Sequence, residues 1–248
     1  MELLPDFEVI RPANVEEAAR KGALEHARFI SGGTDLMPNL RRGLDAPQIL
    51  VDLSCVAELR QIEKTKDGLR VGAGVTLQQL ISDPYIQTEY KVIADTVTEI
   101  AGTTHRSSAT VGGNLCLDTR CQFYNQSEWW RKSNDYCLKY GGKICHVVPT
   151  SKRCYAVYSG DLAAALILYG ADVEIAGAEG RRSIPLDALL RDWPQERHLF
   201  FADEEGGEAA ADAFCYAEGP AALLVGPEGG FDDAERAAIR AHPASVAI

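Results

Sequence analysis

Ser31-Gly32-Gly33-Thr34-Asp35-Leu36 sits between a predicted strand, Ala27 to Ile30, and a predicted short helix, Asp35 to Arg42. Adjacent glycines let a backbone approach a phosphate closely, and a following helix N-terminus presents N–H groups to an anion. Thr110-Val111-Gly112-Gly113-Asn114 is read as a second loop of the same kind. Neither matches G-x-G-x-x-G or the P-loop, so neither is evidence for NAD or ATP. A single Gly-Gly pair is more often only a turn. Two such loops in one domain favour a dinucleotide, gripped at its pyrophosphate from opposite sides.

Working outward, the pattern is mixed α/β. Phe7 to Ile10 alternates like a short strand. Asn14 can cap a helix through Val15 to about Leu24, with Glu17 at the capping-box position. A strand is predicted at Ile49 to Leu53. Asp67-Gly68 signals a hairpin between 61–63 and 69–71. Residues 76 to 100 carry helical spacing, interrupted at Pro84. Asp161 to Leu168 reads as a buried helix ended by Gly170, with short strands at 171–175 and 182–184. Further along, Leu199 to Phe201 and Ala222 to Val225 look like buried strands, and Asp232 caps a last predicted helix with Glu235.

The three motifs Ser31 to Leu36, Thr110 to Asn114 and Ser159-Gly160-Asp161-Leu162-Ala163, in that order, resemble the FAD-binding subunit of the molybdenum hydroxylase family. That family includes xanthine dehydrogenase and the medium subunit of carbon monoxide dehydrogenase. The resemblance implies that Ser31, Gly32, Gly33, Thr34, Asp35 and Leu36, with Thr110, Val111, Gly112, Gly113 and Asn114, hold the FAD pyrophosphate. It implies that Asp161 binds the polar linker of the cofactor. A plain helix N-cap is the alternative for Asp161, and the two roles are compatible. Ile100 stands where some members place an aromatic near the flavin ring.

Seven cysteines stand in a 248-residue chain that begins Met1-Glu2-Leu3-Leu4-Pro5-Asp6, with acids where an export signal has bases. A cytoplasmic setting is therefore expected, and reducing cytosol argues against a disulfide framework. Five of the cysteines lie between Cys116 and Tyr158, a polar, aromatic stretch with no obvious secondary structure. From Cys121 the next cysteines follow after 16, 8 and 9 positions, and no C-x-x-C is present, which weakens a zinc-ribbon reading. Four thiolates can bind a [4Fe–4S] cluster when a loop folds around it. A zinc site or unligated thiols are the alternatives.

Cys121-Gln122-Phe123-Tyr124-Asn125-Gln126-Ser127-Glu128-Trp129-Trp130-Arg131 and Asp135-Tyr136-Cys137-Leu138-Lys139-Tyr140 closely resemble the insertion of one subfamily, the β subunit of 4-hydroxybenzoyl-CoA reductase. There the resemblance implies an extra [4Fe–4S] cluster on Cys121, Cys137, Cys145 and Cys154. Cys55, Cys116 and Cys215 are left without a role. His146 is a ligand by type, but a histidine beside Cys145 is more often incidental. Trp129 and Trp130 are expected to pack over the cluster and shield it. The implied chemistry is electron transfer between cluster and FAD, with substrate handled on a molybdenum-cofactor large subunit and a small [2Fe–2S] subunit as relay. No acid–base residue for substrate chemistry is required on this chain.

Composition shifts near Asp192-Trp193-Pro194. From Trp193 onward there are eleven acids, three arginines, no lysine and fourteen alanines. Much of the net charge of -11 lies there. Such a charge disfavours generic binding to nucleic acid or acidic membranes, and no apolar run approaches the ~20 residues a membrane span needs. Arg197-His198-Leu199-Phe200-Phe201-Ala202-Asp203-Glu204-Glu205-Gly206-Gly207 and Leu223-Leu224-Val225-Gly226-Pro227-Glu228-Gly229-Gly230-Phe231 resemble the C-terminal half of SPOUT-class 16S rRNA uridine-N3 methyltransferases. The resemblance implies part of an S-adenosylmethionine pocket at Gly226 to Phe231; a strand-to-helix turn is the alternative.

The expected organisation is an α/β (α+β) FAD-binding domain over residues 1–192, truncated relative to the family. It comprises a small α/β subdomain over about 1–55 and a larger one over 56–192 carrying the insertion 116–158. A partial SPOUT-like α/β segment follows over 193–248. The alternatives are a fragment of a methyltransferase or a non-functional chimera.

Overall fold

The computed structural model describes residues 4–66, 68–177, 180–185, 198–201, 221–224 and 245–247. The chain divides into two compact units, one of residues 1–117 with 160–186, the other of 118–159 with 187–248.

The first unit opens with a parallel sheet. β1 (Glu8–Ile10), β2 (Ala27–Ile30) and β3 (Ile49–Asp52) take the order β1-β3-β2, with Glu8 and Ala27 both in register with Ile49. Parallel neighbours need crossovers, and helices supply them. α1 (Val15–Gly22) links β1 to β2, and α2 (Leu36–Arg41) lies between β2 and β3. Asn14 Oδ1 accepts from Glu17 N at 2.8 Å, so α1 starts where its polar cap predicts. Ala18, Ala27 and Val51 form a small core between α1 and the sheet.

The hairpin is present as β4 (Ile62–Thr65) and β5 (Gly68–Val71), with Thr65 opposite Gly68; Asp67 itself lies outside the described residues. The helical stretch breaks as its proline dictates. α3 (Leu77–Ser82) has a full capping box of Thr76 and Gln79, and α4 (Pro84–Glu89) has Pro84 in its first turn under the Asp83 cap. α5 (Lys91–Glu99) and α6 (Thr103–Arg106) follow, then α7 (Val111–Leu115) on the second glycine loop and α9 (Leu162–Leu168) on the third motif. β6 (Asp172–Gly177) and β7 (Gly180–Pro185) close an antiparallel pair.

These helices surround one apolar core, including Val75, Leu77, Leu80, Ile86, Val97 and Leu162, each at most 2% exposed. At about 1.5–3 kcal/mol for each large apolar side chain buried, this core is the main source of the first unit's stability. It also packs Val111 and Leu162 side by side. The second and third motifs are thereby pinned to the same core.

The second unit contains the cysteine-rich insertion. Its expected lack of secondary structure is corrected by α8 (Glu128–Ser133), which Ser127 caps through Trp130 N, and by a 3-10 turn at Leu138–Tyr140. The aromatic, polar composition hides helical periodicity, but the Ser127 cap and the acidic first turn set the start. In the C-terminal part the described backbone is a parallel sheet of β8 (His198–Phe201), β9 (Ala221–Leu224) and β10 (Ser245–Ala247), ordered β10-β8-β9. The helix predicted after Asp232, the loop Gly226 to Phe231 and Cys215 lie outside the described residues. Among the described residues no helix is long and apolar enough to cross a membrane.

Candidate functional site

Two sites emerge, one in each unit. In the first unit the two glycine loops meet. Gly32 faces the backbone of Ser108 and Ala109, the residues leading into Thr110, and a Cβ on Gly32 would stand 1.9 Å from Ser108 O. Only hydrogen fits there. Gly112 is similarly close-packed, with room for a Cβ only 2.8 Å from the Ala73 side chain.

The loops differ in what they offer a ligand. Among the described residues, the N–H groups of Gly32, Gly33 and Thr34 donate to no protein acceptor. Those of residues 111–114 in the second loop are committed. Val111 N donates to Val75 O, Gly112 N to Ala73 O, Gly113 N to Thr110 Oγ1 and Asn114 N to Thr110 O. The two loops expected to grip a pyrophosphate from opposite sides therefore offer it different things. The first loop carries available donors, and the second is a rigid wall without side chains at its two glycines.

Asn114 is buried and its Oδ1 accepts from Leu162 N at 3.0 Å, which ties the second motif to the third. Asp161 stands at the N-cap position of α9, as the plain N-cap alternative has it, and makes no side-chain cap bond. Its carboxylate is exposed. Asp35 likewise makes no cap bond to α2. Ser31, Thr34, Asp35 and Leu36 are half-buried around the first loop. Arg106 was missed by sequence reasoning as a support. Its guanidinium donates to Thr98 O, Ile100 O and Ala101 O, closing the end of α5 just before the second loop.

In the second unit, Cys121, Cys137, Cys145 and Cys154 line one small, partly enclosed cavity. Phe123, Tyr124, Leu138, Lys139, His146 and Tyr155 are among the other lining residues. Cys137 and Cys145 are buried; Cys121 and Cys154 are half-buried. Local backbone bonds fix each thiol. Cys121 N donates to Asn125 Oδ1, Tyr140 N and Gly142 N donate to Cys137 O, and Leu138 N donates to Ile144 O. Ala156 N is aimed at Cys154 Sγ at 3.3 Å. Burial pushes the Cys154 thiol up, Ala156 N–H opposes that, and Cys145 and Cys137 add to the rise.

Among the described residues no three His, Cys, Asp or Glu side chains converge as ligands of a single ion. A single zinc would draw four sulfurs to ≈ 2.3 Å of one point. The four thiols line one cavity without such a convergence. His146 Nε2 lies 2.8 Å from Tyr136 O, and its ring tilts against Phe123. The expected shielding by both tryptophans is corrected in part. Trp130 lies against Phe123, but Trp129 is 73% exposed because α8 turns it to water. Arg131, at 1% exposed, is the buried side chain of α8. Its guanidinium donates to Glu128 Oε2 and Gln126 O and lies over the Tyr140 ring.

A family model described as FAD binding domain in molybdopterin dehydrogenase matches residues 5–200. A second, described as RNA methyltransferase domain, matches residues 179–247. The aldehyde oxidoreductase FAD-binding subunit PaoB of Escherichia coli (strain K12) is 34% identical over 167 residues, 64% of this chain and 52% of that protein. The carbon monoxide dehydrogenase medium chain of Hydrogenophaga pseudoflava is 32% identical over 113 residues, 45% of this chain and 39% of that protein. Among solved structures, a carbon monoxide dehydrogenase from Hydrogenophaga pseudoflava superposes with a TM-score of 0.54 at 23% identity, covering 75% of this chain and 52% of that one. Quinoline 2-oxidoreductase from Pseudomonas putida 86 gives 0.54 at 24%, covering 74% and 52%. The mixed α/β fold is thus shared with these enzymes, and the chain spans about half the length of such relatives or less.

Proposed function

We infer the function from one premise: the chain belongs to the family of FAD-binding domains in molybdopterin dehydrogenase. We propose that it is the FAD-binding, electron-transferring part of a molybdenum hydroxylase-type oxidoreductase. The finer assignment is a subunit like the β chain of 4-hydroxybenzoyl-CoA reductase. Its partners would be a molybdenum-cofactor large subunit and a [2Fe–2S] small subunit, and an aromatic CoA thioester would meet only the large one.

The residues present fit FAD. Gly32, Gly33 and Thr34 offer donors to the pyrophosphate, Gly112 and Gly113 allow it close to the opposite wall, and exposed Asp161 offers an acceptor to the linker hydroxyls. The residues also fit a [4Fe–4S] cluster on Cys121, Cys137, Cys145 and Cys154. The single observation that carries this is the cavity all four share. When bound, the cluster supplies one-electron and the flavin one- or two-electron exchange. The protein's part is to place the donors, keep the buried thiols from bulk water and hold them at fixed positions.

The test is the absorbance of anaerobically purified protein with flavin and iron quantified. About one FAD and about four irons per chain are expected. A colourless protein after reconstitution with iron, sulfide and FAD overturns the reading. A second reading rests on the RNA methyltransferase match over 179–247 and the parallel order β10-β8-β9. It makes this segment part of an S-adenosylmethionine-dependent 16S rRNA (uracil-N3) methyltransferase, and calorimetric titration with S-adenosylmethionine tests it. The lysine-free composition from Trp193 onward fits a join between two unlike sequences, a chimera of the two families.

A further inference from the structure

One charged side chain on the wall of the cysteine cavity has no part in the reading above. Lys139 lines the cavity beside Tyr124, Cys137 and Cys154. Its Nζ donates to Asp118 Oδ2 at 2.8 Å, to Thr119 O at 3.0 Å and to Thr119 Oγ1, and lies 4.5 Å from the centre of the Tyr124 ring. An ammonium has three protons, and three acceptors take them. Lys139 is therefore neither a sulfur ligand nor a hydrogen-bond donor to one. It is a positive charge at a fixed point.

The charge is not cancelled by its partner. The Lys139 side chain is 18% exposed and that of Asp118 is 62% exposed. Water screens the carboxylate more than the ammonium, so within this pair the positive charge of Lys139 reaches the cavity less attenuated than the negative charge of Asp118. The potential of a cluster follows its net charge and the charges, hydrogen bonds and solvent around it. Reduction adds one electron to an already anionic thiolate-bound cluster, and a nearby fixed cation stabilises the reduced form more than the oxidised one.

We propose that Lys139 tunes the reduction potential of the group held by Cys121, Cys137, Cys145 and Cys154, raising it by its charge, with Asp118 as the partial counterweight. The proposal rests on the cluster reading. Lys139 is a positioning and tuning residue rather than a ligand, and a purely structural brace between 118–119 and 138–140 is the competing role.

The test uses the full 248-residue chain, reconstituted anaerobically with iron and sulfide and titrated with dithionite under electron paramagnetic resonance, iron being counted in every sample. Lys139→Gln is expected to keep about four irons and to lower the potential by about a tenfold change in the reduction equilibrium, about 59 mV for one electron. Lys139→Arg should restore most of that shift. Asp118→Asn should move the potential the other way, upward, because Thr119 still holds Lys139. A brace alone predicts that loss of either partner of the ion pair acts in the same direction. An unmoved potential in Lys139→Gln, or shifts of the same sign in Lys139→Gln and Asp118→Asn, overturns the proposal. If Lys139→Gln takes up no cluster, Asp118→Asn decides: a rise supports the proposal and no rise overturns it. Wild-type protein that takes up no iron overturns the cluster reading, and the tuning role with it; the iron count separates that failure from the others.

Discussion

Gly32 shapes the proposed flavin site by what it lacks. The Ser108 carbonyl occupies the place a side chain would need, 1.9 Å from the missing Cβ. Gly32→Ala must push the first loop away from the second, and the loop with available amides is the one that moves. The expected result is purified protein with most of its FAD lost and its melting temperature lowered; normal flavin content would remove Gly32 from the site. Asn114 acts from the inside. Asn114→Ala leaves the buried Leu162 N–H without its acceptor and should cost about 1–3 kcal/mol in urea unfolding. The sequence made both residues visible as motif members. It did not reveal that the amides of 111–114 are already spent, because Val75 O and Ala73 O reach them from a distant segment.

Elements with strong local signals were legible: α1 from Asn14, the break at Pro84, the hairpin at Gly68. α8 was not, because its core-facing residue is an arginine and one of its tryptophans faces water. A pattern built on apolar periodicity has nothing to find there. What holds α8 is polar. Glu128 accepts from Tyr136 Oη at 2.8 Å and from Arg131 Nη2 at 2.7 Å. The Tyr136 hydroxyl holds its carboxyl below the ordinary range against an opposing push from desolvation, and the Arg131 guanidinium adds to the lowering. A carboxyl lowered in the folded state contributes stability above its unfolded value, and the contribution is lost as pH falls through the folded one. Glu128→Gln should therefore destabilise by about 1 kcal/mol near pH 7, screening of this partly exposed group included. The gap to wild type should close as the pH drops below about 4.3, the ordinary glutamate value. Thermal melts from pH 7 to pH 3 check this; a gap that widens in acid would contradict it.

At the scale of the whole molecule, all the residues proposed for FAD pyrophosphate and linker binding lie within 1–117 and 160–186 and none in 118–159, while the four cysteines lie wholly within 118–159. The sequence made this segregation visible as an insertion between the second and third motifs. It could not show that the insertion builds its own cavity, since the Arg120–Val157 bridge that closes its ends and the tilted ring contacts of Tyr140 with Tyr136 and Tyr124 carry no sequence periodicity. If each set of residues closes its own site, loss of one cofactor leaves the other in place. Cys137→Ala removes a buried thiol from the cavity and should strip the iron while FAD remains at the wild-type ratio. Gly32→Ala should do the reverse, and the double variant should lose both, with the two losses in unfolding free energy adding as they do for sites without shared contacts. The measurement is flavin and iron per chain in the four proteins, prepared anaerobically side by side. Loss of FAD from Cys137→Ala at full folding would mean that the cluster segment supports the flavin site, and the two-site description would fail.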